Sequence, residues 1–544
     1  MTRFSNWIIG LVVVLIFASA WYLLNRPADE QPWDGDVGGL TYTPYRTSND
    51  IHHLTATRDQ ITSDIEKMAG ITSQIRTYQT TGDAEDVPEI ASKMGLRVTA
   101  GAWISNDTKQ NDAEISNLIK AAKNVGGVNQ VLVGNEVLYR GELNQMPRVP
   151  GDTPLPPFAE PASTNDMVLA HRRVDHLVKL IKYVRDNVDG IPVSTSETFD
   201  FWLPWPIRDK DGNELQGAEL AAVLASDDPL KDKDGNSLKD KDGNDLKSAT
   251  LTATLTHNED VKKLVNSVDF IAVHILPFWN RVNVNDAIDG GPNKNGNAVL
   301  NVYHRLQQTY PDKRIVVTEV GWPSQGQAQG QAEASQVNQG TFLRRFLLAA
   351  KKEGIDYFII EAFDQPSKMQ SGGGVEAYWG LWDANGNPKP TLAGVLVNNQ
   401  NWRSLAIATI ALGLPFVFWV LRANFELNRR GRIFVALLMQ GGVMVAVAIY
   451  ALYSTRYLTW VDIAALGMVA PATLLLLCIF LIEGAEMALN LWLGKTSRRL
   501  VPPPIDGSWK LPKVSVHVPC YNEPPEMMIE TIKALEKLDY ADYE

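Results

Sequence analysis

Val128-Asn129-Gln130-Val131-Leu132-Val133-Gly134-Asn135-Glu136 carries an apolar stretch, Val131-Leu132-Val133, rich in β-branched residues and ends on a carboxylate. Residues of that kind favour extended backbone, and a glutamate closing such a run is costly to bury without a partner. Arg314-Ile315-Val316-Val317-Thr318-Glu319 has the same shape. Outward from these two lie six further strand-like runs: Leu40–Tyr45, Ser73–Gln79, Leu96–Ile104, Ile191–Thr198, Val268–Ile275 and Tyr357–Phe363. Helical periodicity fills the intervals, as in Asp59–Met68, Glu114–Asn124, Met167–Asn187 and Ala332–Lys352. Strands separated by helices imply βαβ units and a parallel sheet. Eight of them over this length predict an α/β fold, a closed (β/α)8 TIM barrel.

Barrels of this kind carry their chemistry at the C-terminal ends of the strands, which is where Glu136 and Glu319 stand, on strands four and seven. Either one alone has a plain structural explanation as half of a buried ion pair. Two on one mouth point to function. A carboxyl pair can hydrolyse a glycosidic bond, one member protonating the leaving oxygen and the other attacking the anomeric carbon. At a separation of about 5 Å the outcome is retention. Glu319 is the candidate nucleophile and Glu136 the candidate acid/base, its pKa expected to be raised by the neighbouring charge and by burial. Asn135 is placed to bind the sugar 2-hydroxyl.

Thr318-Glu319-Val320-Gly321-Trp322-Pro323-Ser324 closely resembles the signature of glycoside hydrolase family 17, the β-1,3-glucanase family, and Val133-Gly134-Asn135-Glu136 resembles its acid/base motif. Arg76-Thr77-Tyr78, Pro277-Phe278, Glu361-Ala362-Phe363-Asp364 and Tyr378-Trp379-Gly380-Leu381-Trp382 with Pro388-Lys389-Pro390 extend the likeness over residues 39 to 395. The resemblance implies a β-glucan substrate, no cofactor, and a sugar-contacting set of Asn135, Tyr42, Arg76, Tyr78, Trp202, His274, Phe278, Trp322, Glu361 and Lys368. One position departs from the family. Leu276 stands where many members carry Tyr or His before the proline step, with His274 two residues earlier. His274 is left open between facing the sugar and serving as a satisfied core histidine.

Two long insertions follow strands four and five, Gln145 to Ser163 and about Asp200–Asn258. The second opens with Trp202 and Trp205, whose rings either stack on glucose faces or pack the base of the loop. Within it, Arg208–Leu215, Lys231–Leu238 and Lys239–Leu246 repeat one unit around Asp-Gly. Aligned on its glycine, a calcium loop needs an oxygen ligand five residues before and a Glu six after. Here the first positions are Ile207, Leu230 and Leu238, and the last are Ala218, Lys241 and Ala249. Asp-Gly instead predicts short hairpins.

The chain has 544 residues and a net charge of −11, a balance that argues against a nucleic-acid partner. Its eight histidines show no metal-ligand spacing, and Cys478 and Cys520 fall in segments where no disulfide is expected. Four apolar runs stand out: Trp7–Leu24, Leu405–Leu421, Phe434–Tyr453 and Ala464–Ile482. Each is near the length that crosses a bilayer, although Ala18-Ser19-Ala20 also allows the first to be a cleaved signal peptide. Arg422, Arg429, Arg430 and Arg432, and later Lys495, Arg498 and Arg499, are basic flanks expected on the cytoplasmic side. Residues 26–403 are then extracytoplasmic, in a multi-pass protein of a bacterial inner membrane. Lys513-Val514-Ser515-Val516-His517-Val518-Pro519-Cys520-Tyr521-Asn522-Glu523, with a helix over Glu526–Leu538, resembles the start of a family-2 glycosyltransferase using nucleotide-sugar donors. Some forty residues bury no independent core, so a truncated domain is expected there. The organisation predicted is an anchor and linker (1–38), the barrel (39–400), three membrane helices (401–495) and the glycosyltransferase start (496–544). The activity expected is a retaining β-1,3-glucan transglycosylase, with an endo-hydrolase or an accessory domain of a β-glucan synthase as alternatives.

Overall fold

The computed structural model describes residues 2–47, 54–143, 166–209, 248–422, 427–492, 512–540 and 544, with single positions between 211 and 245. Eight strands form a closed parallel barrel in chain order: β1 (Leu40–Tyr42), β2 (Gln74–Thr77), β3 (Arg97–Ala102), β4 (Val128–Asn135), β5 (Val193–Thr198), β6 (Ile271–His274), β7 (Ile315–Val320) and β8 (Asp356–Ile359). Leu40 pairs with Ile359 to close the ring. Each of the eight predicted strands is present, mostly trimmed at its C-terminal end. The trimmed residues, Glu136 and Glu361 among them, form the mouth.

The helical layer comprises α2 (Arg58–Ala69), α3 (Val87–Lys93), α4 (Thr108–Asn124), α5 (Asp166–Arg185), α6 (Ser248–Ser267), α7 (Val299–Thr309) and α8 (Gln336–Glu353). Side-chain oxygens of Thr57, Asp107 and Ser335 cap α2, α4 and α8, and Gly354 ends α8 in the left-handed conformation, which glycine adopts without steric cost. Successive strand residues point to opposite faces. Val131, Val133, Ile271, Val273 and Val317 therefore pack outwards under the helices, while Leu132, Ala272, Val316 and Phe358 form a separate apolar layer inside the barrel. Above that layer the interior turns polar, with Arg76, Ser196, His274 and Thr318 all buried.

The first insertion, Gln145 to Ser163, lies outside the described residues. The second is shorter than the sequence suggests, because α6 begins at Ser248. Its described positions support the hairpin reading. Asp209 Oδ1 accepts the Asp211 and Asn213 N–H groups at 2.9 and 2.8 Å, and Arg208 bridges Lys239 antiparallel. Asp383 closes Asn385-Gly386-Asn387 with the same bonds.

Arg344 on α8 ties the two ends of the barrel together. Its guanidinium donates to the carbonyls of Thr391 (3.0 Å), Glu30 (2.9 Å), Pro390 (3.0 Å) and Gly394 (2.8 Å). The Ala28 N–H bonds Leu396 O at 2.9 Å and the Trp33 N–H bonds Leu392 O at 2.8 Å.

Among the described residues, four helices are long and apolar enough to cross a membrane: α1 (Thr2–Leu24), α9 (Trp402–Arg422), α10 (Arg429–Ser454) and α11 (Trp460–Trp492). The last three extend the predicted apolar runs at both ends. Helix α1 packs on α9 and α10 through Ile9, Val13, Val417, Leu421 and Ala436. Trp21 Nε1 donates to Thr409 Oγ1 at 3.0 Å, and Gln440 Nε2 to Thr409 O at 2.7 Å. In the C-terminal segment, the Val516 N–H bonds Glu544 O at 2.8 Å and the Glu544 N–H bonds Val514 O at 3.0 Å. Helix α12 (Pro525–Leu535) has no buried residue and stops short of the predicted Leu538.

Candidate active site

Gly134 ends the regular path of β4. Its φ of +91° is open to glycine, and a Cβ there would lie 2.3 Å from Val137 Cγ2. Two residues on, Glu136 holds φ 51°, a sparsely populated conformation for a side-chain-bearing residue of the sort concentrated at functional sites. The Glu136 N–H donates to Ser196 O at 2.7 Å. This double turn lifts the Glu136 side chain out of the strand plane and over the barrel axis, where Glu319 arrives from β7.

The two glutamates meet. One oxygen of each carboxylate and a ring nitrogen of His274 all lie within 4.8 Å of one another. His274 Nδ1 is 2.7 Å from Glu136 Oε1, and its Nε2 is 2.7 Å from Ser196 Oγ and 3.3 Å from Glu319 Oε1. Ser196 Oγ is in turn 2.6 Å from Thr318 Oγ1. Arg76 reaches up from β2: Nη1 donates to Glu319 Oε1 at 3.0 Å and to Thr318 O at 2.8 Å, and Nη2 donates to Asn135 Oδ1. The guanidinium supplies positive charge at Glu319 of the kind a cation would bring, and the two imidazole nitrogens face different partners. Held by its oxygen, the Asn135 amide keeps its NH2 group as a donor.

Burial pushes the Glu136 carboxyl up, but the His274 hydrogen bond and charge, with Arg76 and Arg140, outweigh it and hold Glu136 below the usual carboxylate range. The sequence argument, which weighed only burial and a like charge, has the opposite sign. The acidic groups raised here are others. Burial takes Glu361, on the extension of β8, up to about 7, and Glu197, on β5, up to about 8. Lys368 Nζ stands 3.7 Å from Glu361 Oε2, and Lys368 is raised against the cost of burial by Glu361, Glu376 and Glu319. Burial and the Glu319 charge raise the Tyr78 phenol, whose ring lies under the Arg76 guanidinium at 4.7 Å. Trp379 Nε1 is buried and has no acceptor among the described residues.

Asn135, Arg76, Tyr78, His274, Glu361 and Lys368 thus gather around the glutamate pair. Four predicted contacts do not. Tyr42 turns outwards and donates to Asp64 of α2 at 3.1 Å. Trp202 is wholly buried, with Nε1 on Ala272 O at 2.9 Å, so it packs the base of the insertion. Trp322 lies behind β7 with Nε1 on Glu333 O at 2.9 Å. Phe278 is enclosed edge-on by Trp279, Trp322 and Trp379. Trp205 stacks on His257 of α6, with centroids 4.1 Å apart. Ser196, Thr318, Glu197 and Glu376 also border the pair and were not among the expected site residues. The signal for Glu197 was present, as a carboxylate inside Val193–Thr198.

The profile of the family described as "BtgE/BtgC glycoside hydrolase domain" matches residues 39–207 and 235–380. A putative glucan endo-1,3-beta-glucosidase btgC of Aspergillus niger is 24% identical over 376 residues, 65% of this chain and 42% of its own length. A glucan 1,3-beta-glucosidase of Schizosaccharomyces pombe is 24% identical over 60% of this chain and 78% of its own length. The chain therefore spans less than half of the Aspergillus relative. Among solved structures, a glycoside hydrolase family 17 beta-1,3-glucanosyltransferase from Rhizomucor miehei is 20% identical with a TM-score of 0.41, covering 65% of this chain and 96% of that one.

Proposed function

Because the chain belongs to the BtgE/BtgC glycoside hydrolase family, we propose that its barrel is a retaining β-1,3-glucan transglycosylase with Glu319 as nucleophile and Glu136 as acid/base. The observation that carries this reading is the approach of the two carboxylates, within 4.8 Å by one oxygen of each. That gap suits direct attack and leaves no room for the water an inverting pair needs. Glu319 attacks the anomeric carbon while Glu136, held in place by its contact with His274 Nδ1, protonates the departing oxygen. Arg76 orients Glu319 and Asn135 together, and Asn135 donates to the 2-hydroxyl, a contact that tightens in the transition state. Glu136 then takes the proton of the incoming hydroxyl, and the new bond forms at the face just vacated.

That acceptor is a sugar hydroxyl in a transferase and water in a hydrolase. The two insertions that follow strands four and five in the sequence favour the first, since loops at that end of a barrel are suited to extend acceptor contacts and exclude water. The names borne by the fungal relatives, glucan β-glucosidases, favour the second. Incubation with laminari-oligosaccharides separates them. Products longer than the substrate are expected, and exclusively shorter ones would reduce the reading to a hydrolase.

The wider setting belongs to the same proposal. Four apolar helices, with Arg422, Arg429, Arg430 and Arg432 at the end remote from the barrel, support a multi-pass bacterial inner-membrane protein with its barrel outside. The segment from Lys513 to Glu523 resembles the opening of a nucleotide-sugar glycosyltransferase, which fits a glucan-remodelling domain joined to glucan synthesis. Protease protection of the barrel in sealed inverted vesicles tests the orientation.

A further inference from the structure

The turn between α10 and α11, residues 455–459, reaches the catalytic rim of the barrel. Tyr457 Oη donates to Asp364 Oδ2 at 3.0 Å and accepts the Ala384 N–H at 2.9 Å. The Tyr457 N–H donates to Tyr378 Oη at 2.9 Å, and the two rings stack with centroids 5.0 Å apart. Gln325 Nε2 adds a bond to Thr455 O at 3.3 Å.

Asp364 is the junction these contacts serve. It is buried, and its Oδ1 accepts the Gly380 N–H at 2.9 Å and Lys389 Nζ at 2.6 Å. It closes the stretch that begins at Glu361, and this stretch is laced to the segment behind it. Leu381 N–H bonds Glu361 O (3.0 Å), Trp382 N–H bonds Ala362 O (2.9 Å) and Asp364 N–H bonds Trp382 O (3.0 Å). The Glu361 carboxylate, paired with Lys368 Nζ at 3.7 Å, and the Trp379 indole N–H, which has no acceptor among the described residues, are carried on these two strips. The strips are therefore fastened at one end by a hydroxyl from outside the barrel.

We propose that Tyr457 is a positioning residue of the active site: the helical hairpin lends a hydrogen-bond donor that fixes the Glu361–Asp364 wall, and the barrel reaches full turnover only with that turn docked. The loss of one donor from a buried carboxylate loosens the wall it anchors. Only the kinetic arm of the test rests on the glycosidase reading.

The test uses the full chain in detergent micelles. Tyr457→Phe keeps the ring on Tyr378 and removes the hydroxyl. Amide exchange in residues 361–364 and 379–382 should quicken roughly tenfold, as expected for a local opening made easier by one hydrogen bond. Turnover of laminari-oligosaccharides should fall about tenfold, mostly in kcat, the pattern of a lost transition-state contact. Gln325→Ala, which trims the same interface away from Asp364, should change neither. Unchanged exchange in Tyr457→Phe overturns the proposal, as does quicker exchange with intact kcat, or an equal effect from Gln325→Ala. If the wild-type chain turns over no β-1,3-glucan, the glycosidase reading fails and exchange alone decides. If Tyr457→Phe does not fold, Tyr378→Phe decides by the same exchange readout, with unchanged values again overturning it.

Discussion

His274 Nδ1 and Glu136 Oε1 are 2.7 Å apart, so the proposed acid/base is hydrogen-bonded to an imidazole. The other ring nitrogen faces Ser196 and Glu319, which makes His274 the link between the two carboxylates. Each glutamate is then expected to fail differently. Glu136→Gln should lower turnover of unactivated glucans by roughly 10²–10⁴-fold, the usual worth of a general acid, with partial rescue by azide. Glu319→Gln should form no glycosyl-enzyme, and azide acting there on an activated substrate should give the α-glycosyl azide, where the Glu136 variant gives the β-anomer. The reverse pair of anomers would contradict the assigned roles.

The short gap between Glu136 and Glu319 predicts retention of configuration under the proposed mechanism. Proton NMR of the earliest products should show the β-anomer, followed by slower mutarotation. An α-anomer appearing first would mean direct displacement by water and a different pairing of carboxylates.

Arg76 joins Glu319 and Asn135 with two separate nitrogens, a fork that an ammonium does not reproduce. Arg76→Lys keeps the charge and loses one arm. A fall of about tenfold to a hundredfold in kcat/KM is expected, since bonds to ionised partners are worth on the order of 1.5–3 kcal/mol. Activity equal to wild type would show that charge alone is required.

Glu197 gives the protein a pH signature. Burial takes its carboxyl up to about 8, so the folded chain holds a proton there that the unfolded chain releases above about pH 4.3. Folding takes up a proton between those values, and its contribution to stability declines as pH rises through that window. The Leu138 N–H on Glu197 Oε1 at 3.1 Å links this group to the turn after Glu136. Glu197→Gln, neutral at every pH, should show a smaller drop in melting temperature than wild type between pH 5 and 8. Parallel curves would refute the assignment.

Tyr42 offers a test of the corrected placement. With its hydroxyl on Asp64 rather than in the cleft, Tyr42→Phe should lower stability by about 1 kcal/mol and leave kcat and KM unchanged. A raised KM would return Tyr42 to the substrate.

The eight strands were legible because each is a compact run of β-branched and apolar residues between helical patterns. Glu136 and Glu319 were legible because both interrupt such runs at the end where barrels do chemistry. The aromatic contacts were not. A parallel strand is buried on both faces, so its sequence lacks the alternation that tells inside from outside, and Tyr42 could not be assigned a direction. Trp202, Trp322 and Phe278 stand close in sequence to strand ends, yet their rings fill space behind the barrel wall. Ser196 and Thr318 carry no sign of their task, since a hydroxyl in a strand is ordinary until His274 is seen beside it. Tyr457 belongs to a turn far along the chain from Asp364, and only the folded arrangement joins them.

Arg344, by holding Glu30 and the 390–394 stretch in one grip, brings both ends of the domain out side by side. With the Tyr457 turn seated on Asp364, the barrel is moored at two points, so a graft meant to keep full turnover has to carry the helical hairpin as well as the arginine.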